Sequence, residues 1–165
     1  MKPEQYFCRY AFPCAEILLQ IKRIDQKRFD EIKSAAEKGI VPSRKVLEDT
    51  FKTAFDNIKK IAAKEGKDYW DISVIKKYFD EGEHNDFIDC GGGFFGHAPA
   101  TIKDLCRIKT AVVEDIPGVN IQGEKAEIVK VKYNGKERMC INFYKLKLKK
   151  GDKVKLHYAY IIEKI

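Results

Sequence analysis

Val129-Lys130-Val131-Lys132-Tyr133-Asn134-Gly135-Lys136-Glu137-Arg138 is the stretch that decides the fold of the second part of this chain. Apolar and polar residues alternate up to an Asn-Gly pair, and a polar return follows. A period of two describes a strand with one face buried. Asn134 and Gly135 both tolerate positive φ, so they make a two-residue turn and the flanking runs pair as a hairpin. The paired strands extend over 126–133 and 136–143. Further out, Ala111-Val112-Val113 is a first strand, Lys150-Gly151-Asp152 is another turn, and 153–162 is a last strand. Short strands joined by tight turns in about sixty residues suit a small antiparallel barrel of the OB-like kind.

Before Cys106 the period is helical. Pro13 suits the first turn of a helix over 13–21. Asp25 is an N-cap for a second helix that runs to Lys38, where Gly39 stops it. Pro42-Ser43 opens a longer helix in which Val46, Leu47, Phe51, Ala54, Phe55, Ile58 and Ile61 trace one apolar stripe, ending at Gly66. Asp71 caps a fourth helix carrying Ile72, Ile75, Tyr78 and Phe79. The pattern breaks at Asp80, where 81–86 reads as an acidic loop, followed by the glycine-rich 89–97. A short helix covers 100–105. The chain therefore reads as α+β, with a helical domain over 1–105 and a small β-barrel domain over 106–165.

Charge separates the two parts. Of the 165 residues, 44% are apolar and 35% charged, and the net charge is +7. Residues 1–105 carry 18 basic and 18 acidic side chains, whereas 106–165 carry 14 against 7. The excess suits an acidic partner surface or nucleic acid. On the second alternative Lys145, Lys147, Lys149, Lys150, Lys153 and Lys155 meet phosphates and Tyr158 or Tyr160 stacks on bases. No apolar run approaches the length that crosses a bilayer, and 1–5 lacks the pattern of a signal peptide. A cytoplasmic protein with no membrane partner is expected.

Five cysteines, Cys8, Cys14, Cys90, Cys106 and Cys140, are an odd number, which argues against a disulfide scaffold and for reduced thiols. They serve as small buried hydrophobes or as ligands. Cys8 and Cys14 form a CxxxxxC spacing. Cys90 and His97 flank the glycine run 91–93, and with Cys106 they make a candidate metal site whose spacing matches neither a zinc ribbon nor a ferredoxin. The glycine run is no P-loop, because no Lys-Ser/Thr follows it. Neither a Ser-His-Asp arrangement nor a base–orienter pair for a cysteine nucleophile stands out, so no catalytic residue is assigned and a non-enzymatic protein is expected.

Three segments carry a family likeness. They are Cys106-Arg107-Ile108 with Ala111-Val112-Val113, then Glu124-Lys125-Ala126-Glu127-Ile128-Val129 with Asn134-Gly135, and finally 148–165, where a Gly-Asp turn, His157 and Ala159-Tyr160-Ile161-Ile162-Glu163-Lys164-Ile165 follow one another. On these the C-terminal part resembles the HypC/HupF family of nickel–iron hydrogenase maturation chaperones. The resemblance implies a HypC-like barrel. In that family a cysteine binds the partner HypD and helps to hold an iron carrying cyanide and carbon monoxide, and a His in the closing strand is a second iron contact. The matching positions are Cys106 and His157. The resemblance thus implies an accessory, chaperone-like protein of metallocentre maturation, iron as its cofactor, and a HypD-like protein or a metalloenzyme precursor as its partner. Alternation places Val154, Leu156, Tyr158 and Tyr160 on the core face of the last strand, and His157 with Lys153 and Lys155 on the solvent or partner face.

Overall fold

The computed structural model describes the backbone of residues 1–121 and 124–165, and the side chains of these outside 119–126. The chain divides into two compact units, Met1–Cys106 and Arg107–Ile165. Helices come first and strands follow, so the fold is α+β.

The first unit is built from α1 (Pro3–Gln20), α2 (Gln26–Lys38), α3 (Arg44–Thr50), α4 (Lys52–Glu65), α5 (Ile72–Asp80), α6 (Glu83–Asp89), a 3-10 turn (Gly93–Gly96) and α7 (Ala100–Cys106). The expected caps form. Asp25 accepts from the Arg28 amide at 2.8 Å and Asp71 from the Ser73 amide at 2.8 Å. Gly39 and Gly66 end α2 and α4 in the left-handed conformation that costs a glycine little.

Three expectations are corrected. Pro13 lies inside α1 rather than at its start. An internal proline removes one helix hydrogen bond and costs about 3 kcal/mol. The buried face Phe7, Tyr10, Ala11, Phe12 and Ala15 offsets this by packing. Phe7 is the hub, with ring centroids 4.5 Å from Phe55, 5.6 Å from Phe51, 5.7 Å from Phe79 and 5.9 Å from Trp70. The long third helix is broken at Phe51, which ends α3 and starts α4 with a non-helical backbone. Just before it, Thr50 Oγ1 donates back to the Val46 carbonyl at 2.6 Å, a bond that bends helices. The acidic loop is largely helix α6, whose His84 and Ile88 are buried one turn apart. His84 packs edge-on against Tyr78 at 5.5 Å, and a polar residue in that stripe hides the helical period.

The second unit contains β1 (Lys109–Asp115), β2 (Val119–Ile121), β3 (Glu124–Ala126), β4 (Ile128–Tyr133), β5 (Lys136–Ile141), β6 (Lys153–His157) and β7 (Tyr160–Lys164). β2 and β3 pair with each other as a two-stranded sheet. The other five close a barrel in the order β1-β4-β5-β7-β6, a Greek-key arrangement in which the last strand lies beside the third strand of the barrel. Its seams are antiparallel except that of β5 and β7, which meet parallel at Ile141 and Tyr160. Asn134 and Gly135 have φ of 47° and 73°, as the β4–β5 turn requires. The core is Ala111, Val113, Val129, Val131, Tyr133, Cys140, Val154, Leu156 and Ile161. Asn142 fastens the segment after β5. Its amide donates to Glu127 Oε1 at 2.9 Å and to the Leu146 carbonyl at 2.8 Å, and its oxygen accepts from the Leu146 amide at 3.0 Å.

The single last strand is also corrected. It turns back at Tyr158-Ala159, with Tyr158 at φ 54°, so that Leu156 pairs with Ile161. Val154, Leu156 and Tyr160 are buried as expected, but Tyr158 is half-buried in the turn. Alternation assumes a continuous strand, and the turn ends it.

Candidate functional site

The helical unit holds a cavity of about 410 Å³. Its walls are mainly apolar, from Leu18 and Ile21 of α1, Phe51, Phe87 of α6 and Phe95. Exposed Arg23 and Lys52 belong to the lining, so the cavity reaches the surface. Two thiols, a phenol and an imidazole stand in this wall: Cys14 of α1, Cys106 at the end of α7, Tyr78 of α5 and His84 of α6.

Helical geometry explains the placement of Cys14. Residues six apart are turned roughly 240° about a helix axis. Cys8 therefore enters the core at 4% exposure, while Cys14 lines the cavity with Ile17 and Leu18, three and four residues on. A ring nitrogen of His84 lies within 4.8 Å of Cys14 Sγ. The imidazole is held in place by its neighbours: Nδ1 lies 3.3 Å from Asn85 Oδ1, and the ring packs against Tyr78 and Phe79. That contact orients the ring, whose donor and acceptor nitrogens follow its tautomer.

Burial keeps these groups neutral. It pushes the Cys14 thiol far up, and nearby Cys106 adds to the effect because two neighbouring thiolates would repel. Cys14 keeps some residue surface while its sulfur lies deep among protein atoms, as befits a side chain in a cavity. Burial also raises the Tyr78 phenol, with a contribution from Cys14, against a hydrogen bond from Asn57. It lowers the His84 imidazole to about 4, against the pull of Asn85 in the other direction. A neutral thiol beside a neutral imidazole is the reverse of the thiolate–imidazolium pair of a cysteine nucleophile. A soft ion that binds such a pair displaces the thiol proton to solvent and meets an imidazole that is already neutral.

Within the helical unit, Cys106 and the Cys90–His97 pair stand in different surroundings. Cys106 is 3% exposed and shares the cavity wall with Cys14 and His84. Cys90 and His97 are exposed, at the end of α6 and just after the 3-10 turn. His157 ends β6, where it pairs with Tyr160, and it is 1% exposed. The solvent-face reading of His157 is corrected accordingly: alternation tells which side of a sheet a residue takes, not whether that side is covered. Lys145, Lys147, Lys149, Lys150 and Lys153 are exposed and Lys155 is half-buried. Cys8 and Cys140 behave as small core hydrophobes, their thiols pushed up to about 11 by burial.

Sequence reasoning placed Cys14 in a CxxxxxC spacing and His84 in a loop. It did not join them, because the pair is made by the packing of α1, α5 and α6 and leaves no spacing along the chain. The detectable signal is partial: His84 and Ile88 stand at helical spacing.

Comparison with family models, with curated proteins and with solved structures yields no match to this chain.

Proposed function

We propose that the protein is a non-enzymatic accessory protein of metallocentre maturation, in which the barrel docks a protein partner and the helical cavity receives a small cargo. The observation that carries this reading is the cavity itself, an apolar recess of about 410 Å³ whose few polar groups include a thiol and an imidazole in contact range. The barrel adds to it. The stretch that carries the HypC/HupF resemblance, 148–165, supplies the two adjacent strands β6 and β7 that complete the closed sheet. The neutral state of Cys14 and His84 favours holding over catalysis. A HypD-like protein or a metalloenzyme precursor is the proposed partner, and iron is the cargo that the resemblance implies.

The test is binding of the full chain, purified without oxygen, to a purified HypD-type protein and to a hydrogenase large-subunit precursor. A stoichiometric complex that weakens on charge reversal at exposed Lys147 and Lys149 is expected. Absence of a complex with either protein at tens of micromolar overturns the docking role.

A second reading rests on the segment after β5. Phe143 and Tyr144, half-buried and 5.2 Å apart edge to face, stand beside exposed Lys145, Lys147, Lys149 and Lys150. Aromatic rings among lysines are the elements of a single-strand nucleic-acid platform. Fluorescence anisotropy with a labelled oligonucleotide separates the two readings. Sub-micromolar affinity at physiological salt, lost with Phe143→Ala, would favour nucleic acid over the protein partner.

A further inference from the structure

The geometry points to a soft-metal site inside the helical unit, with Cys14 Sγ and a ring nitrogen of His84 as two ligands on opposite sides of a monovalent copper ion, taken in preference to divalent zinc. It rests on the cargo reading above but puts a soft monovalent ion in place of the iron that the resemblance implies, and it concerns residues that the HypC/HupF resemblance does not reach.

Proximity is the first argument. Ligands at about 2.0–2.3 Å on opposite sides of one ion are roughly 4.3 Å apart. The Cys14 and His84 donors lie within 4.8 Å of each other, so small side-chain adjustments bring them to one ion. Their supports are firm: α1 is a helix of 18 residues, and His84 is 4% exposed between Tyr78 and Phe79. The contact of Nδ1 with Asn85 Oδ1 orients the ring as outer partners orient ligating histidines.

Donor chemistry is the second argument. A thiolate is a soft ligand and imidazole a borderline one, a set that selects copper(I) or zinc and rejects magnesium or calcium. The carboxylate in the lining is Asp49, which is tied to Lys45 at 2.9 Å.

The surroundings decide between the two ions. Cys14 surrenders its thiol proton to solvent as the sulfur–copper bond forms. One thiolate and one monovalent ion then make a neutral unit, which an apolar wall tolerates at little desolvation cost. A divalent ion on the same thiolate would leave a net positive charge among Leu18, Phe51 and Phe87.

The experiment is an anaerobic titration of the full-length protein alone with copper(I), buffered by a colorimetric chelator, and in parallel with zinc(II). One copper(I) per chain is expected, with sulfur-to-copper absorption in the near ultraviolet and affinity above that for zinc. Cys14→Ser and His84→Gln should each weaken copper binding at least about tenfold. Cys90→Ser, which changes an exposed thiol outside the cavity lining, should leave affinity unchanged. Circular dichroism identifies variants that fail to fold. Should the Cys14 or His84 variant do so, perturbation of the His84 imidazole resonances by copper(I) in the unaltered protein replaces it. No copper binding, tighter binding of zinc, unchanged affinity in folded Cys14 and His84 variants, or loss caused by Cys90→Ser overturns the inference. Because no partner protein is present, failure here leaves the docking role standing, and failure to capture a partner leaves the metal site standing.

Discussion

His84 places a ring nitrogen within 4.8 Å of the Cys14 sulfur, although one residue follows a proline in the first helix and the other opens a short acidic helix near the end of the unit. Both groups are desolvated, and both are neutral at physiological pH for that reason. Cys14 and Cys106 line a cavity, whereas Cys8 and Cys140 are packed in cores and Cys90 is exposed. That difference sets an order of reactivity.

Cys90 should react first with a thiol reagent under native conditions, because it is exposed. Cys8 and Cys140 should stay unmodified until the protein unfolds, since burial both shields them and pushes their thiols up to about 11. Peptide mapping after timed alkylation reads the order. Labelling of Cys140 at the rate of Cys90 would contradict the barrel core described above.

Phe7→Ala should destabilise the helical unit by about 3–5 kcal/mol, the usual cost of removing a fully buried ring. Phe7 is wholly buried and touches the rings of Phe51, Phe55, Trp70 and Phe79. Urea unfolding followed by Trp70 fluorescence measures it. A loss below about 1 kcal/mol would mean that the aromatic cluster is not the core of this unit.

Asn142→Ala should cost about 1–3 kcal/mol, because it strips partners from the Leu146 amide and carbonyl. The Asn142 side chain makes three of the bonds that fasten this segment. Hydrogen exchange at the Leu146 amide should accelerate sharply. Unchanged protection there would show that the segment is held by something else.

Asp152 should make the barrel acid-sensitive. Its carboxylate accepts from Lys164 at 2.7 Å and from the Lys149 amide at 2.8 Å, and these bonds hold its pKa below the usual carboxylate range. A depressed folded-state pKa gives stability that is present above the unfolded value of about 3.9. That stability is lost as pH falls through the folded value. Asp152→Asn should therefore lower stability at neutral pH and flatten the acid limb of a stability–pH profile. An unchanged limb would mean that other carboxylates govern acid unfolding.

Local chemistry determined much of this protein. Asp25, Asp71, Gly39 and Gly66 end helices where their side chains or their backbone freedom dictate, and Asn134-Gly135 makes the hairpin from which the barrel could be read. The inward set Val154 and Leu156 follows from the pleat alone. These features depend on residues a few positions apart, so the chain itself records them. What lies beyond such reach was decided by packing. Pro13 stays inside a helix because the aromatic cluster on its buried face outweighs the lost hydrogen bond. Residues 83–89 become helix with His84 packed on Tyr78 of α5 and Ile88 buried one turn on. The last strand turns back because β7 gains a place between β5 and β6. The thiol–imidazole pair is the extreme case. Its members are joined by no period, cap or spacing, and only the convergence of α1, α5 and α6 around a cavity brings a sulfur and a ring nitrogen within reach of one ion.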